Sequence, residues 1–188
     1  MKGQMFLIAG IVVVVGLIFM KGIYDIYPLF EESRYIRSRN GKFVLNNVNT
    51  EYEKIIGLGN NSKTDKYLYD FSNFVYHDMA GLNIFYVYLK TGANESLVIG
   101  NFMDKSLNVT ISLSSATPSV FSQVIGNEQN KTFEFNPSGD FEVNISYDGK
   151  NEYFNVSEKK QGVLFTDMAI DYDDLKVGKT NFYRGYIQ

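Results

Sequence analysis

Residues 5–20 form an unbroken apolar run, MFLIAGIVVVVGLIFM, unmatched elsewhere in the chain. A run of this kind does not rest on the surface of a water-soluble domain, so it enters lipid, packs against like segments, or is removed. At ~1.5 Å per helical residue it covers about 24 Å, short of the ~30 Å hydrocarbon slab. Continuation through Lys21 to Ile23, Tyr24, Ile26 and Tyr27 supplies the missing length, with Lys21 snorkelling and the tyrosines suited to the interface. A cleaved secretory signal would show a small-x-small site just after the apolar region. The sequence there is Ile18-Phe19-Met20-Lys21-Gly22, which offers none. The run therefore reads as a retained transmembrane or stem helix over residues 4–27.

Immediately before the run stand Lys2, Gly3 and Gln4. This start resembles the class III signal peptide of archaeal type IV pilin-like proteins, in which a prepilin peptidase cuts after the glycine and the apolar helix stays on the mature protein. Carried onto this chain, the resemblance makes Lys2 the basic recognition residue, Gly3 the last residue of a leader over 1–3, and Gln4 the new N-terminus. It covers about the first thirty residues. Ile8 stands at the fifth position after that cut, where many pilins of the bacterial type carry glutamate. A filament subunit, a minor pilin and an anchor that never polymerises all fit the pattern.

The remainder has the size of one domain, or of one domain on a stalk. With no cysteine it has neither a disulfide framework nor a cysteine-based zinc site. A net charge of −3 argues against nucleic acid as a partner. Fourteen Tyr and fifteen Phe lean the composition toward pleated, half-buried surfaces.

Residues 28–63 read as a kinked helical stalk and linker. Pro28 kinks it, Gly41 weakens it, and Asn49 or Thr50 caps a final short helix whose first turn holds Glu51 and Glu53. Over 64–79, Tyr67, Leu68, Phe71, Phe74 and Val75 recur at helical spacing and predict an amphipathic helix ended by Gly81.

From Leu82 onward the period becomes two. Leu107, Val109, Ile111 and Leu113 alternate with Asn108, Thr110, Ser112 and Ser114, and Phe141, Val143, Ile145 and Tyr147 repeat the pattern. Asp148-Gly149 supplies a hairpin turn toward 152–156. Further strands are expected over 83–90, 96–102, 120–125, 132–135, 163–170 and 181–187. Many short strands with regular turn signals predict an antiparallel sandwich, or a sheet packed on the stem.

Asn60, Asn94, Asn108, Asn130, Asn144 and Asn155 each begin an N-x-S/T triplet, while Pro137 excludes Asn136. These are candidate N-glycosylation sites and place the domain outside the cell; the plainer reading is polar β surface. The cations Lys21, Arg34, Arg37, Arg39 and Lys42 after the apolar run point the other way, toward a cytoplasmic domain. The triplets and the short N-terminal flank decide for an external domain.

An enzyme is hard to assemble. His77 is the only histidine, and no GxSxG, HExxH, phosphate loop or GxGxxG occurs. Asp167, Asp171, Asp173 and Asp174 lack the glycine and terminal glutamate of a calcium loop and read as a solvated turn.

The expected fold class is α+β, with an N-terminal hydrophobic helical stem followed by a mainly antiparallel, sandwich-like β domain over 64–188. The expected function is a single-pass cell-surface structural protein without catalysis, cofactor or metal. Its partners are the lipid bilayer, prepilin peptidase, and copies of itself or other pilin-like subunits, with no nucleic acid. A monomeric membrane-anchored binding or adhesion protein is the alternative, and a membrane-tethered hydrolase the third.

Overall fold

The computed structural model describes residues 38–57, 63–92, 95–114, 119–136, 139–157, 161–172 and 175–186. The chain divides into two units, Met1–Gly41 and Lys42–Gln188, and every described strand lies in the second. Helix α1 (residues 38–57) and helix α2 (Thr64–Asp78) precede nine strands among the described residues. These are β1 (Leu82–Lys90), β2 (Ser96–Phe102), β3 (Leu107–Ser114), β4 (Ser119–Ile125), β5 (Gln129–Glu134), β6 (Phe141–Tyr147), β7 (Lys150–Val156), β8 (Gln161–Tyr172) and β9 (Leu175–Tyr186).

The strands build two sheets, β5-β2-β1-β8-β9 and β4-β3-β6-β7, in which every pairing is antiparallel. Alternation along each strand sorts its side chains to opposite faces. In β1, Phe85, Val87 and Leu89 enter an apolar layer shared with Val109, Ile111, Val143 and Ile145 of the four-stranded sheet. Leu82, Ile84, Tyr86 and Tyr88 enter a second layer with Leu45, Val48, Tyr52 and Ile56 of α1 and Leu68 and Val75 of α2. Strand β1 is thus covered on both faces, and its run of nine residues is buried up to Leu89. That explains why LNIFYVYLK lacks the polar alternation of β3 and β6.

The expected fold class is corrected. Strands account for 57% of the described residues, against only two short helices, so the fold is mostly β. Among the described residues no helix is long and apolar enough to cross a membrane. The segment 4–27, the leader 1–3 and Pro28 lie outside the described residues. The reason for the β character is physical: the apolar residues after Leu82 recur at the pleat's period, and each face they form finds a partner layer.

The helices also depart from expectation. Helix α1 runs without a break from 38 to 57, so neither Asn49 nor Thr50 starts a new helix. The Thr50 hydroxyl instead donates to the Asn46 carbonyl one turn back, at 3.0 Å. In α2 the inward stripe is Thr64, Leu68, Ser72 and Val75, while Tyr67 and Phe74 are 44% and 61% exposed. Ser72 is tolerated inside because its hydroxyl donates to the Leu68 carbonyl and accepts from the Tyr52 hydroxyl, both at 2.6 Å. Past α2 the chain turns at Gly81, whose φ of +77° and approach to the Asp171 carbonyl leave no room for a Cβ.

Candidate functional site

The four-stranded sheet turns one face to its partner sheet and the other to solvent, and the solvent face carries three of the six triplet asparagines. Strand β3 presents Asn108, Thr110 and Ser112 outward because Val109, Ile111 and Leu113 are drawn into the core. Asn108 is opposite Val124 of β4 and beyond the first β3–β6 pair, so it lies at a corner of the sheet and is exposed. Asn155, on the edge strand β7, is exposed, and its carbonyl accepts from Arg184 at 2.8 Å. Asn144 differs. It sits mid-sheet between Ser112 and Tyr153, is half-buried, and its side-chain oxygen is enclosed without a hydrogen-bond partner among the described residues. A fourth, Asn130, is exposed on β5 of the other sheet. Asn60, Asn94, Lys2, Gly3 and Gln4 lie outside the described residues.

Where the two sheets meet at one end, a cleft of about 360 Å³ is lined by Asn83, Asp104, Lys105, Asp148, Lys150, Asp167, Asp171 and Lys176, with Met103 and Ala169. Its centre is Asp167. This carboxylate is on the inter-sheet face of β8 and is 5% exposed as a residue. A carboxylate taken from water needs charge and hydrogen-bond partners. Asp167 accepts from the Tyr147 hydroxyl at 2.9 Å, from the Lys150 ammonium, and from the Thr180 hydroxyl at 3.3 Å. Burial, and then the Asp167 charge beside it, push the Tyr147 hydroxyl well above its ordinary range, so it stays protonated and keeps donating.

The cleft wall repeats the theme. The Lys105 ammonium meets Asp148 at 2.6 Å, and that of Lys176 approaches Asp171 at 3.4 Å. Asn83 bridges the end of β8 and the loop after β2, donating to Asp171 at 3.1 Å and accepting from the Asp104 amide at 3.0 Å. Three of the four cleft carboxylates are thus each matched to a lysine, while the fourth, Asp104, accepts from the Tyr76 hydroxyl at 2.9 Å.

Asp167 does not lie in the solvated turn expected for the acidic run. Asp167 is a buried strand residue and Asp171 lies farther along the same strand, while Asp173 and Asp174 lie outside the described residues. Among the described residues no group of three or more His, Asp or Glu is arranged to hold a metal ion. His77 is on the surface, its Nε2 3.1 Å from Glu128 and its ring edge-on to Tyr76.

A larger, more open cleft of about 700 Å³ lies beside the start of α2 and is lined by Asp65, Lys90, Glu95 and Glu134 among others. Burial raises the Asp65 carboxyl, and Lys90 opposes that shift.

Sequence reasoning singled out Asp167 but not Tyr147, Lys150, Thr180 or Asn83 as its surroundings. The Tyr147–Lys150 pair follows from the Asp148-Gly149 hairpin, in which the two residues face each other. Nothing local signals that a carboxylate from the other sheet closes on them. No family model matches the chain, and no curated protein or solved structure shows significant similarity to it.

Proposed function

We propose that this is a membrane-anchored structural protein of the cell surface, similar to archaeal type IV pilin-like proteins. Its apolar N-terminal segment enters lipid, or an assembly of like segments, and its β unit is displayed outside. The observation that carries this reading is Lys2-Gly3-Gln4 standing directly before the apolar run. The exposed triplet asparagines Asn108, Asn130 and Asn155 support an external location. Display requires no catalytic group, and the cleft carboxylates Asp148, Asp167 and Asp171 are each committed to a lysine. The partners are the bilayer, a prepilin peptidase, and further pilin-like subunits.

Sequencing the N-terminus of protein taken from its native membrane tests this. A mature chain starting at Gln4, with Gly3→Val accumulating as uncut precursor, is the expected result. Retained Met1 or Lys2 reduces the protein to a simple anchor. A terminus beyond Met20 makes the segment an ordinary signal peptide, and the reading fails. Protease added to intact cells should also reach the β unit.

The polar cleft around Asp167 favours a second reading, a monomeric membrane-anchored binding protein. Sheared surface fractions separate the two, since only a filament subunit is released with them.

A further inference from the structure

The two sheets expose four edge strands: β4 and β7 on one, β5 and β9 on the other. An edge presents unpaired backbone groups to any second strand, and charged side chains are the usual guard, because pairing would strip their water. Three of these edges are guarded. Strand β5 carries Lys131 and Glu134, β7 carries Lys150 and Glu152, and β9 carries Lys176, Lys179 and Arg184. Strand β4 reads Ser-Val-Phe-Ser-Gln-Val-Ile, with no charge, proline or glycine over seven residues.

Its two faces are well defined. Phe121 packs against the core and Ile125 is buried in it, whereas Val120 and Val124 are 66% and 61% exposed with the exposed Ser122 between them. One side of the strand is paired to β3 through all seven residues. On the other side, among the described residues, only the Ile125 carbonyl is engaged, by the Asn101 side-chain amide at 3.0 Å.

We propose that β4 pairs antiparallel with β4 of a second copy of this chain, joining two four-stranded sheets into one. The strand is self-complementary about Ser122. In that register Ser122 faces its own copy, and Val120 of each chain faces Val124 of the other. Both exposed valines leave water against an apolar cross-strand neighbour, and no charge is desolvated. The contact goes beyond the surface-display reading and needs only the β unit, so it holds or fails independently of how the N-terminus is processed.

The chain has no cysteine, so a single introduced thiol reports one position. Full-length Ser122→Cys, purified in detergent and oxidised at about 100 µM, where a micromolar contact is saturated, should convert largely to covalent dimer. Asn151→Cys on β7 should not. Mixed Val120→Cys and Val124→Cys chains should cross-link to each other better than either does to itself. A monomeric Ser122→Cys chain whose thiol still reacts fully with maleimide overturns the proposal. Light scattering supplies a test that needs no thiol. The wild-type chain should dimerise, and Val124→Lys should weaken the dimer by about tenfold or more, as lysine's charge is desolvated in the pair. A wild-type chain that is monomeric at the same concentration, or a dimer indifferent to Val124→Lys, also overturns it.

Discussion

The ring of Tyr86 lies across the space that Gly100 leaves on the neighbouring strand. The two residues are directly paired, and a Cβ built on Gly100 would come within 2.1 Å of the Tyr86 ring. The glycine is there for contact, since an extended β2 places no special demand on its backbone. The tyrosine covers the gap in the strand and stacks toward Phe102, its ring centre 6.4 Å away.

Gly100→Ala should accordingly destabilise the fold by roughly 1–3 kcal/mol, the usual cost of overpacking a filled core. Urea denaturation reads this as a lower midpoint at unchanged slope. In a Tyr86→Val background the same change should cost much less, because the ring it collides with is gone. An equal cost in both backgrounds would show that the collision is not the cause.

Tyr147→Phe isolates one hydrogen bond to Asp167. The ring still stacks on Phe85 at 4.2 Å, so only the hydroxyl is lost. A hydrogen bond to a buried charged group is worth about 1.5–3 kcal/mol, and that is the expected loss of stability. Lys150→Met removes the other main partner and should also destabilise, by an amount tempered by the half-exposed position of the ammonium. A Tyr147→Phe chain as stable as wild type would mean that Asp167 is satisfied without it.

Alkaline pH should unfold the β unit through its buried tyrosines. Burial pushes Tyr88 and Tyr183 up to about 12, with the charges of Asp65 and Glu53 adding to the respective shifts. An unfolded tyrosine releases its proton near 10. Stability is thus unaffected by these groups below about pH 10 and falls as pH rises toward 12, because the unfolded chain loses protons that the folded chain retains. Tyr52, Tyr86 and Tyr147 are raised by burial in the same direction. Denaturation midpoints at pH 9 and pH 11 should differ, and Tyr88→Phe should narrow the difference. A midpoint that holds steady to pH 11 contradicts the account.

On native protein, sugar should be found at Asn108, Asn130 or Asn155 and not at Asn144. The first three are exposed, whereas the Asn144 amide oxygen is enclosed between Ser112 and Tyr153. Mass spectrometry of tryptic peptides checks this directly. Occupied Asn144 would require modification before the sheet closes.

Much of the β unit was legible in the chain. Strand β2 falls on the expected residues, and β3, β6 and β7 start or end within two of them; in these last three one side is wet, and polar residues alternate with apolar ones. The hairpin of β8 and β9 is longer than the period-two pattern predicts. Its strands run from Gln161 and Leu175, with glycines and charged residues inside them that blur a period-two pattern. The stripe of α2 was misplaced because Tyr67 and Phe74 are apolar enough to look buried, while Thr64 and Ser72 are the residues that turn inward. The continuous α1 was hidden by Gly41 and four asparagines, whose weak propensity is overridden by Leu45, Val48, Tyr52 and Ile56 packing on the sheet. The Asp167 cleft needed three-dimensional contact between sheets, which no local pattern encodes.

The strand order carries a consequence for how the protein is made. All four strands of the smaller sheet come from one stretch, residues 107–156, so a ribosome that has delivered β7 has delivered that sheet whole. Strand β1 emerges earlier but waits longest, since one of its two neighbours is β8; Asn83 and Asp171, hydrogen-bonded in the fold, are 88 residues apart. Until residues 161–172 appear, the most apolar strand of the unit keeps one flank bare while the chain grows. Nascent chains stalled before β8 should therefore be the species that chaperones hold and that aggregate when chaperones are scarce.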